Sequence, residues 1–398
     1  MNSEARHGPL AQAASEALAE IRARGTYRHM RVLDGAQGPR MQVDGRKVLL
    51  FAGSNYLDLA AHPEVVAAST RAARELGCAA GGSRLITGNL ACHEALEEEL
   101  ADFLGTESAL VFNTGYMANL GVIPALAGRG DVVVSDALNH ASIIDGCKLS
   151  QAHTRVFPHG DLEALETLLG EVRHRYRRVL LAIDGVYSMD GDLAPLAEMV
   201  ALARRFEAMV LLDDAHGTGT LGELGRGTAE RLGVGEGIDV TMGTLGKSLG
   251  SFGAFVAGSA ALRELLVNVA RSFIFSCALA PPQVAAARAA LALVRREPWR
   301  RQQLQANAAR LRKQLALHGI STAPSQTQIV PVVLGDNDRT MACCEALLAR
   351  GYYAQGIRHP SVPEGSARLR ITPMATHREA EVDALAEAVA EERARHAS

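Results

Sequence analysis

Between Asn55 and Phe275 the chain alternates compact apolar runs with glycine-punctuated stretches of helical spacing. The clearest runs are residues 109–112, 132–134, 179–183, 210–212 and 240–242. Each is short, rich in β-branched residues and apolar throughout, as expected of strands buried on both faces of a largely parallel sheet. The stretches between them, such as residues 193–206, repeat their apolar positions at helical intervals. This alternation predicts an open α/β sheet, and right-handed crossovers set its strand ends along one edge.

The flanks read differently. Residues 1–25 predict a helix with Leu10, Ala14, Leu18 and Ile21 at helical spacing, and residues 31–51 predict short strands around turns at Gly35, Gly38 and Asp44-Gly45. Pro281-Pro282 marks a break. Beyond it the pattern predicts helix through Leu317, a strand over 328–334, a helix over 342–351, a strand over 367–372 and a final helix to about Arg393. The expected division is an N-terminal helix with short strands (1–50), a large domain (51–285) and a small α+β domain (286–398). The charge run 391–395 reads as a solvated, frayed helix end.

Composition narrows the function. A net charge of -3 over 398 residues gives no electrostatic case for a nucleic-acid partner. The six cysteines form no C-x-x-C pair and no zinc spacing, so no metal is expected, and Cys343-Cys344 read as buried free thiols. With no long apolar run and no signal-type segment, no membrane partner and a reducing cytoplasm are the expectation.

Chemistry concentrates in residues 239–253, DVTMGTLGKSLGSFG, where Lys247 stands between Gly246 and Gly250. A lysine pressed into a tight glycine turn loses preference for its proton and becomes a candidate imine-forming amine. Two other readings compete. Residues 246–250 fit the G-x-S-x-G nucleophile elbow with Ser248 as nucleophile, and the stretch is equally a plain glycine turn carrying a surface lysine. A phosphate loop is excluded, because position 241 is Thr where that motif needs glycine. Other reactive groups also follow predicted strands: Asn113 to Tyr116, Ser135-Asp136 with His140, Asp184 with Ser188, and Asp213 with His216. A helix start behind Gly115 suits a phosphate, a buried Asp213 suits a protonated ring nitrogen, an aromatic ring can stack on His140, and Lys247 can hold an aldehyde. Those are the needs of pyridoxal phosphate.

Across residues 28–385 the sequence resembles the α-oxoamine synthase family of fold-type I pyridoxal-phosphate enzymes. The resemblance rests on Ser54-Asn55-Tyr56-Leu57, Gly81-Gly82-Ser83-Arg84, residues 136–146 (DALNHASIIDG), 184–191 (DGVYSMDG), 213–219, 243–250 (GTLGKSLG) and 272–282 (SFIFSCALAPP). It implies a large domain with a mainly parallel seven-stranded sheet, a small α+β C-terminal domain, and a decarboxylating condensation of an amino acid with an acyl thioester. By that pattern Lys247 holds the cofactor and moves the substrate proton, Asp213 meets the ring nitrogen, and His140 stacks on the ring. His216, Ser188 and Thr244 lie around the ring hydroxyl and phosphate, and Gly115 and Tyr116 form the phosphate-end turn. Ser276 and Cys277 reach the phosphate from a second subunit, which implies a homodimer with shared active sites. Arg370, rather than Arg368, resembles the residue that grips the amino acid carboxylate, and Asn55, Ser361 and His29 fall where substrate is expected. The alanine-using branch with a pimeloyl donor, carried on coenzyme A or an acyl carrier protein, is the expected member; a glycine-using or other acyl branch is the alternative. Departures from the pattern are His29 where arginine is usual, residues 356–361 (GIRHPS), Asp58 where glycine is usual, and Cys277 in place of a hydroxyl residue.

Overall fold

The computed structural model describes residues 8–396; residues 1–7 of the predicted first helix lie outside that span. The helix forms at Pro9–Ala23 with proline in its first turn, where a missing N–H costs nothing. It has no buried residue. Strands β1 (Leu33–Asp34), β2 (Arg40–Val43) and β3 (Arg46–Leu50) follow. Asp44 and Gly45, with φ of 48° and 78°, make the mirror-type turn that suits the β2–β3 hairpin.

The central sheet uses β4 (Ser108–Phe112), β5 (Val132–Asp136), β6 (His153–Phe157), β7 (Val179–Asp184), β8 (Met209–Asp213), β9 (Val240–Thr244) and β10 (Ala254–Gly258), in the order β4-β10-β9-β8-β7-β5-β6. Only β10 runs against the others, being antiparallel to both β9 and β4. All five runs read from sequence are strands. The other two lack the signature: β6 (HTRVF) is an edge strand with four exposed residues, and β10 is rich in Ala and Gly. Side chains alternate between two cores. Val133, Leu180 and Leu211 pack under helices Gly115–Leu126 and Ala141–Ser150, whereas Val132, Leu181 and Leu212 pack against Leu162–Arg173 and Leu196–Arg205.

The C-terminal unit contains β11 (Val330–Gly335), β12 (Tyr352–Tyr353), β13 (Gln355–Ile357) and β14 (Ala367–Ile371), with β14 central and antiparallel to β11 and β13. Strand β12 pairs in parallel with β3, and Met41, Val48 and Leu50 share a core with Leu348, Tyr353 and Met374. The N-terminal strands are thus built onto the C-terminal unit, although sequence had set them apart.

Two expectations are corrected here. Pro281-Pro282 begins a helix, Pro281–Arg296, as expected, but that helix stays with the large domain. The expected boundary at 285/286 falls inside that helix, whose Val284, Ala287, Ala290 and Leu291 join Leu96, Leu100 and Phe103 in the large-domain core. We place the division within the next helix, Trp299–Leu317, where Leu304 belongs to the large core and Leu311 and Leu315 to the small one. At the far end, residues 391–395 are not frayed. Glu392 is buried in the last helix, with Arg350 at 3.0 Å and Arg395 at 2.6 Å. Cys343 and Cys344 are buried free thiols.

Candidate active site

Parallel strands in register bring their last residues together. Asp184 of β7 pairs with Asp213 of β8, and Asp213 with Met242 of β9, two residues before Thr244. The lysine turn follows β9 and rests on the turn after Asn55. Gly250 has φ +57°, and a Cβ there would collide with the backbone of Leu59 and Ala60, so only glycine permits the contact.

Ser248 takes no part in chemistry. It is 1% exposed, and its hydroxyl donates to the Thr218 carbonyl. The hydrolase reading therefore loses its nucleophile.

A hydrogen-bonded chain runs from an arginine to the lysine amine. Arg370 Nη2 donates to the Tyr56 hydroxyl at 3.3 Å, Tyr56 lies 2.8 Å from His216 Nδ1, and His216 Nε2 lies 2.8 Å from Lys247 Nζ. Burial, followed by the nearby Lys247 and Arg370 charges, holds the His216 pKa well below its ordinary value, so the ring is neutral. With a free-base amine Tyr56 can give its proton to Nδ1 while His216 gives Nε2–H to Lys247. A protonated amine would donate instead, turn the tautomer round and leave the Tyr56 proton with no acceptor in the chain. Burial acts in the same direction, drawing Lys247 down to about 8 against the opposing pull of Asp213.

Asp213 is buried, accepting from Asn119 Nδ2 at 2.8 Å and the Ala215 N–H at 3.1 Å. Its carboxylate retains acceptor capacity for a protonated ring nitrogen. Asn119 also donates to Ser142, whose hydroxyl lies 2.7 Å from His140 Nδ1. His140 remains exposed, with its backbone N–H donating to Asp184 Oδ2 at 2.8 Å. Asp184 itself is pushed well above the ordinary carboxylate range, by burial first and then by Asp213. At the other end, helix Gly115–Leu126 starts beside Thr244: a Cβ on Gly115 would lie 3.0 Å from Thr244 Cγ2. Thr244 Oγ1 is buried without a partner. An orphan hydroxyl next to free helix N–H groups fits an anion such as a phosphate.

The arginines of β14 divide their work. Arg368 pairs with Asp190. Arg370 is buried, donates from Nε to the Ser188 carbonyl at 2.5 Å, and has no carboxylate within 4 Å among the described residues. A buried, unpaired guanidinium is matched to an incoming carboxylate.

Other predicted residues fall elsewhere. Asn55 holds its own turn: Oδ1 accepts from Leu59 and Ala60, and Nδ2 donates to Gln37 and Asp58 at 3.3 Å. Asp58 takes the left-handed conformation (φ +56°) and accepts from Thr376, which accounts for an acidic residue where glycine is usual. His29 and Ser361 line a separate cavity of about 450 Å3 with Tyr27, Arg28 and Arg358. Tyr116 is exposed and donates to Asp145, whereas Ser276 donates to Ser272 and the exposed Cys277 accepts Asn113 through its carbonyl. Tyr56 and Asn119 carry the site's bonds without having been singled out. Asn119 had a signal, one amide in an otherwise apolar helical stretch.

The chain belongs to the aminotransferase class I and II family, which residues 46–389 match. Within that class it is 52% identical over 375 residues to the 8-amino-7-oxononanoate synthase of Geobacter sulfurreducens, covering 94% of this chain and 96% of the relative. It is also 52% identical over 374 residues to the enzyme of the same name from Citrifermentans bemidjiense, with 94% and 96% covered. Among solved structures, the serine palmitoyltransferase of S. paucimobilis with a bound PLP–myriocin aldimine superposes with a TM-score of 0.92 at 34% identity, covering 98% of this chain and all of that one.

Because only the free base attacks an aldehyde, trapping of a small aldehyde on Lys247 by cyanoborohydride should follow its titration. Peptide mass spectrometry of the trapped protein should show half-maximal modification near pH 8. Modification that keeps rising tenfold per pH unit through pH 10 would mean an ordinary, solvated amine (about 10.4).

Proposed function

We propose that the chain is a pyridoxal-phosphate-dependent acyltransferase. It joins L-alanine to a pimeloyl thioester, releasing carbon dioxide and the free thiol carrier and leaving 8-amino-7-oxononanoate for biotin synthesis. The carrying observation is the pairing of a half-buried lysine amine of lowered pKa, in the field of Asp213, with a buried arginine, Arg370, that lacks a carboxylate partner. The relatives named for that product support the choice of substrates.

The site fits pyridoxal phosphate. Lys247 would hold its aldehyde, Asp213 its ring-nitrogen proton, and His140 one ring face. His216 and Ser188 would stand near the ring hydroxyl, with Gly115, Tyr116 and the orphan Thr244 hydroxyl at the phosphate. When bound, the cofactor supplies an electron sink for bond breaking at the amino acid's α-carbon.

The remaining work falls to the chain. Arg370 anchors the substrate carboxylate. Lys247, freed by the incoming amine, takes the α-proton, and its lowered pKa suits it to return a proton later. The neutral His216 holds the lysine nitrogen through Nε2–H and exchanges tautomer as that nitrogen changes charge. Attack on the thioester carbonyl forms the carbon–carbon bond and expels the thiol. The β-keto carboxylate then loses carbon dioxide, its electron pair returning to the α-carbon.

A second copy of the chain is part of this reading. Ser276 and Cys277 would serve the partner's phosphate end, and the adjoining surface is apolar. Ile86 is 80% and Phe275 71% exposed, and a bridge between Ser83 and Cys277 sets the two segments side by side.

Release of carbon dioxide and thiol measures the substrates. L-alanine with pimeloyl-coenzyme A should exceed glycine with acetyl- or serine with palmitoyl-coenzyme A by at least about tenfold in kcat/KM. A preference for either other pair keeps the chemistry and overturns the assignment. Arg370→Ala should cost about a hundredfold in kcat/KM for the amino acid; a loss below threefold would remove Arg370 from that role. By sedimentation the protein should be a dimer, and Ile86→Glu with Phe275→Glu a monomer of little activity. A fully active monomer would contradict shared sites.

A further inference from the structure

One imidazole ties three strand ends together. His159 follows β6. Its Nδ1 lies 3.0 and 3.2 Å from the two carboxylate oxygens of Asp136, the last residue of β5, and its Nε2 lies 2.8 Å from Asp192 Oδ2 in the loop after β7. Asp136 and Asp192 are 2% and 6% exposed. Hydrogen bonds to Asp136 and then Asp192 raise His159 to about 10, so at neutral pH the ring is an imidazolium that donates at both ends. Tyr187 closes it in, with ring centroids 4.3 Å apart in an edge contact.

The loop held in this way, residues 185–194, closes on itself. Tyr187 N–H donates to the Asp192 carbonyl at 3.1 Å, Gly191 N–H to Tyr187 at 2.8 Å and Ala194 N–H to Gly185 at 3.2 Å. Its tip is gripped by the C-terminal unit. The Gly191 carbonyl accepts from Gln326 N–H at 2.9 Å and Thr327 Oγ1 at 2.8 Å. Asp190 pairs with Arg368, and the Ser188 carbonyl accepts from Arg370 Nε. Gly191 has φ +72°, and a Cβ there would strike the Ile329 carbonyl, so the two units meet backbone to backbone. The position of the β14 arginines relative to the sheet thus depends on this loop, and Asp192, beside its tip, is held by His159.

We propose that His159, clamped between Asp136 and Asp192, is a positioning residue. It fixes loop 185–194 and, through the Ser188 carbonyl and Asp190, sets where Arg370 meets the amino acid carboxylate. The inference rests on the reading of Arg370 given above. No hydrogen bond joins His159 to Lys247, His216 or Asp213 among the described residues, so its loss should weaken amino acid capture more than cofactor binding or thioester use.

The test is His159→Gln in the holoenzyme. Glutamine carries no charge and cannot bridge both carboxylates as a cation. KM for the amino acid should rise about tenfold, the cost of one charge-assisted hydrogen bond. KM for the thioester and the cofactor dissociation constant should stay within about twofold. Combined with Arg370→Lys, the two effects should be less than multiplicative, because both act on one contact. An unchanged amino acid KM, a uniform loss in every parameter, or fully multiplicative effects would overturn the proposal. Should His159→Gln fail to fold, Asp192→Asn, which keeps an acceptor oxygen, should show a smaller shift of the same pattern, and its absence counts equally against. If the wild type turns over no amino acid, the proposed function fails on its own. The positioning role is then read from L-alanine binding followed by cofactor absorbance, where about tenfold weaker binding in the variant supports it and equal binding overturns it.

Discussion

Holding one half-buried amine at a lowered pKa is the constraint on which the structure depends. Lys247 on a surface loop would hold its proton to high pH; here burial draws it down to about 8. That burial is tolerated because the amine meets a neutral His216 on one side and the field of Asp213 on the other. Neutrality must in turn be maintained, and the Arg370–Tyr56–His216 chain does so by giving each proton one place to go. Burial also raises Asp184 well above the ordinary carboxylate range, with Asp213 adding to the shift.

The fold meets this constraint by geometry. Parallel strands end on one edge, so Asp136, Asp184, Asp213 and Thr244 arrive together from segments far apart in sequence. The C-terminal unit then covers part of that edge and contributes Arg370 from its central strand. The seam at loop 185–194 joins the sheet that carries the chemistry to the strand that carries the anchor. Buried polar atoms with no partner, Thr244 Oγ1 and Gln328 Oε1 among them, mark places where the chain alone does not complete its hydrogen bonding.

Much of this was legible in the residues themselves. Strands buried on both faces must be apolar throughout, which exposed β4, β5, β7, β8 and β9; β6, wet at the sheet edge, had no such requirement. Reactive groups that follow a strand directly, such as Asp213 and Lys247, were found by the same logic. Tyr56, Asn119 and His159 were not, because their importance lies in partners at a distance in sequence: Tyr56 and His216 are 160 residues apart, and Asn119 and Asp213 are 94 apart. Asn55 shows a related limit, since the turn bonds its side chain makes cannot be told from sequence. Pro281-Pro282 likewise marks a helix start without telling which core that helix joins, and here it joins the large one.

The visible absorption spectrum of the purified protein, before and after Lys247→Ala, bears most directly on the claim that Lys247 holds pyridoxal phosphate. A yellow protein whose band shifts on adding L-alanine, and a variant without the wild-type band, are expected. A protein that stays colourless with added pyridoxal phosphate, or a variant that keeps the same band, would contradict it.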